Sequence, residues 1–128
     1  MGASVSDYSE SPTGTLCTFG ERRHDDGTVI ISCVGELDLT TSPELERRIG
    51  LALERSPQTV IADLSRVDFL ASSAMSVLVV AAELCTPDVR FVVIAHGPMT
   101  RRPMELVGVT EMLTVHATLE NALKALAK

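Results

Sequence analysis

Residues 60–84, VIADLSRVDFLASSAMSVLVVAAEL, hold the pattern that decides the fold of this 128-residue chain. The stretch begins with the apolar run VIA at 60–62, which is typical of a short strand buried on both faces of a parallel sheet. From Ala74 onward it is apolar and Ala-rich for longer than an ordinary strand, so we expect a buried helix capped by Ser72 or Ser73. A buried strand leading into a buried helix is the repeating unit of an α/β sheet.

Upstream of this stretch, the sequence predicts a hairpin followed by a helix. Two β-rich runs, residues 15–19 and 28–35, flank the charged segment GERRHDDG at 20–27, which we interpret as the hairpin loop. The helix has a sound start at either Thr41 or Ser42, since both residue types can cap free N–H groups. Its buried stripe, at helical spacing, consists of Leu45, Ile49, Ala52 and Leu53.

Downstream of the stretch, two further strand–helix units complete the pattern. Residues 91–95 predict a buried strand, and the short helix after it can hold Pro103 only in its first turn. Residues 113–116 predict the last strand, and Thr118 caps the final helix. The predicted order is ββαβαβαβα. It gives an α/β fold with a mixed sheet, in which the first hairpin is antiparallel and the βα units are parallel.

Length and composition indicate one acidic domain. Residues 1–14, rich in Ser, Gly and Pro, predict a flexible N-terminal tail, and residues 15–128 predict a single domain of ordinary size. The chain has 11 Lys and Arg against 17 Asp and Glu, a formal charge of -6, which argues against nucleic-acid binding. No apolar stretch approaches the ~20 residues that a membrane span needs, and no secretory signal is visible. We therefore expect a cytoplasmic protein that binds neither nucleic acid nor membrane.

The loops that follow the parallel strands are the candidate functional positions, because ligands of open α/β sheets bind beyond the carboxyl ends of the strands. These loops are residues 38–42, 68–73 and 96–100, and we expect them to cluster. Ser72 stands out among them, since backbone N–H groups at a helix entry stabilise negative charge and would tolerate a phosphate. The alternative is that Ser72 and Ser73 only cap the helix.

No enzyme class finds a matching motif. Ser72 lies outside any GxSxG elbow, and the eight glycines form no nucleotide-binding pattern. Asp63 and Asp68 raise the alternative of a phosphoacceptor receiver domain. Such a domain needs a lysine after its last strand, whereas the only lysines, Lys124 and Lys128, lie in the terminal helix. The histidines show no metal-ligand spacing, so we expect no metal, no cofactor and no small-molecule substrate.

The three cysteines are Cys17, Cys33 and Cys85, an odd number at wide spacing without a CxxC motif, which predicts reduced thiols. Cys17 and Cys33 fall on the two strands of the predicted hairpin, where some registers would allow a disulfide. A redox switch therefore stays open beside the alternative of inert thiols.

Two segments resemble a known family. GELD at 35–38 follows the second predicted strand, and DLSRVDFLASSA at 63–74 precedes the buried helix. Together, at this spacing, they resemble the STAS domain of bacterial anti-sigma factor antagonists, and the likeness covers about residues 15–126 in the same element order. The resemblance implies a STAS-like single domain and a protein-binding module that is not an enzyme.

The resemblance also implies a partner and a switch. The partner is an anti-sigma factor that is a serine kinase with a histidine-kinase-like ATPase fold, and its capture releases a sigma factor for transcription. In the family, that kinase phosphorylates the serine at the position of Ser72 and so ends binding. The family usually has Asp before this serine and often Gly after the pair, where this chain has Ala71 and Ala74. Phosphorylation at Ser72 and thiol oxidation are therefore both retained as means of regulation.

A STAS-type scaffold in a stress-signalling assembly is the main alternative function, and the receiver domain is the other. The predicted contact surface comprises Asp38, Thr40, Thr41, Ser42, Ala71, Ser72, Ser73, Met75 and His96.

Overall fold

A computed structural model describes residues 4–6, 17–24 and 26–127 of the chain. Within these residues, six strands form one sheet whose strand order follows the chain. The strands are β1 (Ser4–Ser6), β2 (Cys17–Arg23), β3 (Thr28–Leu37), β4 (Thr59–Leu70), β5 (Arg90–Ile94) and β6 (Thr114–His116). The helices are α1 (Ser42–Leu53), α2 (Ser72–Leu84), α3 (Arg101–Leu106) and α4 (Leu119–Leu126), with a 3₁₀ turn at Val109–Glu111.

The sheet is mixed, as predicted. Strands β1 to β3 pair antiparallel and strands β3 to β6 pair parallel, so the predicted fold class is confirmed. Side chains alternate between two faces of the sheet: Ile31 packs in the core beneath α1 and α2, whereas Ile30 packs in a smaller core beneath α4. The first core holds most of the buried apolar residues, and Thr118 caps α4 by accepting a hydrogen bond from the Asn121 N–H, 3.0 Å.

Strand β4 is much longer than predicted. The apolar run at 60–62 predicts a short strand that ends at residues 63–65, but the strand continues to Leu70. Its later core residues are Leu64, Val67 and Leu70, spaced by three instead of two. The pairing with β3 shifts register twice, between Ser32/Val34 and Gly35/Glu36, and such bulges hide the strand alternation in the sequence.

The first half of the predicted hairpin loop at 20–27 is also strand. Residues 20–23 belong to β2 and pair with β3 from Ser32 back to Val29, leaving a short turn closed by Gly27 at φ 85°. Their charged side chains suit a strand near the sheet edge: the Glu21 carboxylate lies 3.0 Å from the Arg23 guanidinium and 3.1 Å from that of Arg55.

Strand β1 was not predicted. It lies within the segment expected to be a flexible tail, and it pairs with β2 from Ser4 opposite Arg22 to Ser6 opposite Gly20. A pattern of three residues is too short to predict a strand. This strand forms because the free edge of β2 supplies its hydrogen-bond partners. The other residues of the expected tail, and residues 15–16 of the expected first strand, lie outside the described residues.

Helix α1 is fastened to the sheet by one buried cation. Arg48 is 5% exposed, and its guanidinium lies 5.3 Å from the centre of the Phe19 ring on β2. The Arg48 Nε donates to the Glu44 carboxylate at 2.8 Å, and Arg47 donates to the same carboxylate. These hydrogen bonds, the one from Arg47 first, lower the pKa of Glu44 from 4.5 to about 2.

Glu44→Gln is expected to lower the urea midpoint of unfolding at neutral pH, with a difference from the wild type that shrinks as the pH falls. A folded-state pKa below the unfolded value stabilises the fold above about pH 4.5, and that contribution is lost as the pH falls towards about 2. Urea titrations across this pH range measure it. Glu46→Gln, an exposed change on the same helix, is the control. A pH-independent difference for Glu44→Gln would contradict the prediction.

Candidate functional site

Strands β3 and β4 continue together past the end of β5. The pairing of β4 with β5 stops at Asp63 opposite Ile94, whereas its pairing with β3 runs on to Leu70 opposite Leu37. Seven residues of β4 therefore extend further, about 23 Å at roughly 3.3 Å per residue. We call residues 36–42 and 68–75, which surround this end of the two strands, the tip surface.

The loop at 38–41 is held by hydrogen bonds around one aspartate. The Asp38 Oδ1 accepts from the backbone N–H groups of Thr40, at 2.9 Å, and Thr41, at 3.0 Å. The Thr41 Oγ1 accepts from the Asp38 N–H at 2.9 Å and donates to the Glu36 carbonyl at 2.7 Å. Thr41 stands at the N-cap of α1, but its hydroxyl makes no cap bond because these local bonds occupy it. The loop is thereby fixed in one shape.

Two hydrogen bonds join this loop to the start of α2. The Ala71 N–H donates to the Leu37 carbonyl at 2.8 Å, which extends the β3–β4 ladder to the entry of the helix. The Ser42 and Ser73 hydroxyl oxygens lie 3.2 Å apart. Because Ser42 donates its proton to the Asp38 carbonyl at 2.5 Å, Ser73 is the donor to Ser42. The loops after β3 and β4 therefore form one hydrogen-bonded unit.

Ser72 is the first residue of α2, not its cap. Ala71 is the N-cap, with extended backbone at φ −81° and ψ 162°, so the prediction that Ser72 or Ser73 caps the helix is wrong. The cause is the Ala71 bond to Leu37, which keeps Ala71 in the ladder and starts the helix immediately after it. Ser72 is exposed, and its hydroxyl has no hydrogen-bond partner within the described part of the chain. Of the two adjacent serines, Ser73 is engaged and Ser72 is accessible.

The other predicted contact residues divide by exposure. Thr40 is exposed on the tip surface, but Thr41 and Ser42 are buried, at 5% and 3% exposure, and act by holding the loop. Met75 is 7% exposed and packs in the core, so it supports the surface from beneath. His96 is exposed in the loop after β5, where its carbonyl accepts from the Thr100 hydroxyl at 3.4 Å.

The loop at 96–100 is placed differently from the other two. It follows Ile94, whose β4 partner is Asp63, seven residues before the end of β4. Among the described residues, hydrogen bonds join the loops after β3 and β4 to each other, and no such bond joins 96–100 to either. The expected cluster of three loops is therefore supported by direct bonds for two of them.

Two large apolar residues of the tip surface are exposed, although neither is among the predicted contact residues. Leu39 is 78% exposed and Phe69 is 51% exposed. Both lie in loops that were predicted to be functional, at 38–42 and 68–73, but apolar residues beside buried strands are usually core, so neither was singled out. The sequence offers one signal, since each of them directly follows an aspartate, Asp38 or Asp68.

The cysteines are free thiols. Cys17 pairs with Gly35 and Cys33 with Phe19, so the two cysteines are diagonal neighbours, for which the Cα atoms lie roughly 7–8 Å apart, beyond the ~7 Å limit for a disulfide. Burial raises the pKa of Cys17 to about 11 and that of Cys33 well above 9.0, which keeps both thiols protonated. Burial also raises the pKa of Cys85, which donates to the Ala81 carbonyl at 3.3 Å.

Three cavities of the structure lie away from the tip surface. Their volumes are about 350, 420 and 360 Å³, and they are lined by residues such as Gln58, Asp88, Cys85 and Met112, none of which belongs to the tip surface. Within the described ranges, no three His, Cys, Asp or Glu side chains are placed to share a metal ion. No helix of those ranges has the length and apolar character to cross a membrane.

Asp63, one of the two aspartates that raised the receiver-domain alternative, does not lie where a phosphoacceptor would. Asp63 lies in the middle of β4, between Ser32 and Ile94, and its carboxylate accepts from the Ser65 N–H at 3.0 Å. A phosphoacceptor would need to stand at the carboxyl end of its strand, where ligands of such sheets bind.

Comparison with known proteins gives consistent matches. The STAS domain family model matches residues 21–122. Anti-sigma-F factor antagonist RsfB of Mycobacterium tuberculosis is 37% identical over 97 residues, covering 76% of this chain and 80% of that protein. RsfA, the anti-sigma-F factor antagonist of the same organism, is 31% identical over 108 residues, covering 80% and 83%.

Solved structures agree with this result. The crystal structure of an anti-sigma factor antagonist from Mycobacterium paratuberculosis superposes with a TM-score of 0.83 at 37% identity, covering 88% of this chain and 95% of that one. The unphosphorylated anti-sigma factor antagonist SpoIIAA superposes with a TM-score of 0.68 at 21% identity, covering 85% and 96%, and shares the fold.

Ala71→Asp and Ala71→Asn are expected to raise the free energy of unfolding by about 0.5–2 kcal/mol. Ala71 already has the extended backbone of an N-cap, and no side chain caps α2. Either new side chain can accept a hydrogen bond from the first turn, and Asp adds a favourable interaction with the helix dipole. Urea denaturation measures the gain. Ser76→Asp, an exposed change inside α2, is the control. Unchanged midpoints for both Ala71 variants would contradict the prediction.

Proposed function

This chain belongs to the STAS domain family, and we propose that it acts as an anti-sigma factor antagonist, which binds an anti-sigma factor and so releases a sigma factor for transcription. The membership agrees with the two motifs at 35–38 and 63–74. The partner in this proposal is a serine kinase with a histidine-kinase-like ATPase fold, as the motif resemblance implies. The chain itself acts by binding and performs no chemistry.

One observation carries the proposal: Ser72 presents a free hydroxyl on a surface that is already rigid. The Asp38 loop is fixed by its own hydrogen bonds, and Ser73 ties it to α2 through Ser42. Because this surface is already ordered, it loses little conformational entropy when a partner binds. The same hydroxyl is accessible to a kinase that binds there, which supports Ser72 as the modified residue and Ser73 as a positioning residue.

Phosphorylation of Ser72 would end binding by a local change of charge. A phosphate adds about −1.5 to −2 charges at neutral pH. It would enter a surface that already carries the exposed acidic residues Glu36 and Asp68. A partner shaped to accept a neutral hydroxyl beside these carboxylates would then have to desolvate the phosphate and accept further negative charge.

The serine is better placed than the thiols to regulate binding. Cys17 and Cys33 are each 1% exposed and protonated, so an oxidant has neither access nor a thiolate to attack. Cys85 lies just beyond the far end of α2, thirteen residues from Ser72, a separation of about 20 Å along a helix. We therefore assign regulation to Ser72.

The test uses the full chain and each anti-sigma factor encoded in the genome that encodes it. We expect one of them to form a stable complex in size-exclusion chromatography and, with ATP and Mg²⁺, to add one phosphate by intact-mass spectrometry. Ser72→Ala should abolish this addition and Ser73→Ala should retain it. If no anti-sigma factor forms a complex, the proposed function is wrong. If the complex forms without any phosphate transfer, only the regulatory part is wrong.

Ser72→Glu is expected to weaken the complex by roughly 100-fold, a loss of about 3 kcal/mol, because the carboxylate places a charge where the partner meets a hydroxyl. Isothermal titration calorimetry measures the two dissociation constants. Ser65→Glu is the control, since Ser65 is also exposed but lies on β4 before the tip surface. Equal affinities for the two glutamate variants would refute the assignment of Ser72.

A further inference from the structure

Leu39 and Phe69 are the most exposed large apolar side chains of the tip surface, at 78% and 51%. Neither fills the core, since the core residues beside them are Leu37 and Leu70. Side chains this exposed do not stabilise the core. Exposed apolar groups that lie near each other often mark a site of interaction.

Both residues lie next to the same end of the paired strands β3 and β4. Phe69 pairs directly with Glu36, and the next pair is Leu37 with Leu70. The hydrogen bond from the Ala71 N–H to the Leu37 carbonyl is the last one at this end of the strands. Leu39 lies two residues beyond Leu37 and Phe69 two residues before Ala71, so each lies within about 7 Å of the bond along the chain. Ser72 follows Ala71 directly, so the backbones of all three residues lie close to this one hydrogen bond.

Acidic side chains border this area. Glu36 and Asp68 are exposed on either side of Phe69, one across the ladder and one along the chain. Asp38 directly precedes Leu39, and its Oδ1 is already occupied by the loop's N–H groups. Arg66 is the exposed cation nearest to them on β4, where it pairs with Val34, before the tip surface. The apolar pair thus has an acidic border.

We propose that Leu39 and Phe69 are the apolar anchors of the partner interface, and that the surface they enter is an apolar pocket bordered by Arg or Lys side chains. This inference rests on the proposed function, because it names the chemistry of the anti-sigma factor surface that faces Ser72. Interfaces derive most of their affinity from a few central apolar side chains, while charges around them set the rate and specificity of association. The acidic border selects a basic partner surface, and a phosphate on Ser72 would stand beside the anchors.

The experiment measures binding of the anti-sigma factor captured above by surface plasmon resonance, with truncations at the tip surface and a matched truncation elsewhere. Leu39→Ala and Phe69→Ala are expected to weaken affinity by about tenfold or more each, mainly through faster dissociation. Leu84→Ala is the control: Leu84 is 67% exposed but ends α2, twelve residues from Ser72, about 18 Å along the helix. Its affinity should match that of the wild type.

The border is tested by charge reversal. Glu36→Lys and Asp68→Lys should slow association several-fold, and the effect should diminish with added salt. Glu83→Lys, an exposed change next to Leu84, is the matched control. Leu39 and Phe69 are also replaced one at a time by a photo-crosslinking amino acid, which should join the anti-sigma factor, whereas the same replacement at Leu84 should not.

The outcomes separate this inference from the proposed function. If wild-type protein binds its anti-sigma factor, and the Leu39 and Phe69 variants bind as tightly as Leu84→Ala without crosslinks, the anchors are wrong and the function stands. If the wild type binds no anti-sigma factor, both fail. Urea titration shows whether each variant is folded, so that unfolding is excluded as the cause of weaker binding. The crosslinking result is used for every variant that is folded by this measure.

Discussion

The parallel ladder between β3 and β4 is the constraint on which the rest of this structure depends. It has nine residue pairs and two shifts of register, and it carries both strands past the end of β5. The backbone bond from Ala71 to Leu37 prolongs it to the last residue before α2. Because of that bond, the helix begins at Ser72, and the loop after β3 lies against its first turn. A ladder that ended at Asp63, as the apolar run at 60–62 implied, would have left these loops unconnected.

The ladder also separates the roles of two chemically identical neighbours. The Ser42 hydroxyl donates its hydrogen bond to the Asp38 carbonyl. The Ser73 hydroxyl therefore donates to Ser42, within the fold. Ser72, one residue earlier, has no such partner among the described residues. Successive side chains on a helix are rotated by about 100°. As a result, the Ser73 hydroxyl is bonded within the fold, whereas the Ser72 hydroxyl is exposed.

The sequence was sufficient for the fold class and for the family resemblance, because both rest on patterns that extend over many residues. The runs at 60–62 and 91–95 are continuously apolar, and the stripe of α1 repeats at helical spacing. It failed where the structure depends on one bond or one bulge. Leu64, Val67 and Leu70 share a face only because the register shifts, and no propensity marks Ala71 as a cap. Exposure of Phe69 depends on which face the bulge gives it, which no local pattern records.

The rigidity of the tip surface determines what kind of switch it can carry. The bonds around Asp38 and Ser42 already occupy polar groups of the loop, so the proposed modification of Ser72 would not need to move the backbone in order to act. The chain already carries a formal charge of -6, and one more phosphate changes this total little. Its effect is decided by position, since it would stand within a few residues of Glu36, Asp68 and the apolar pair. Under the proposed function, a phosphate on Ser72 would therefore end binding through desolvation and charge repulsion at a preformed surface, without a change of fold.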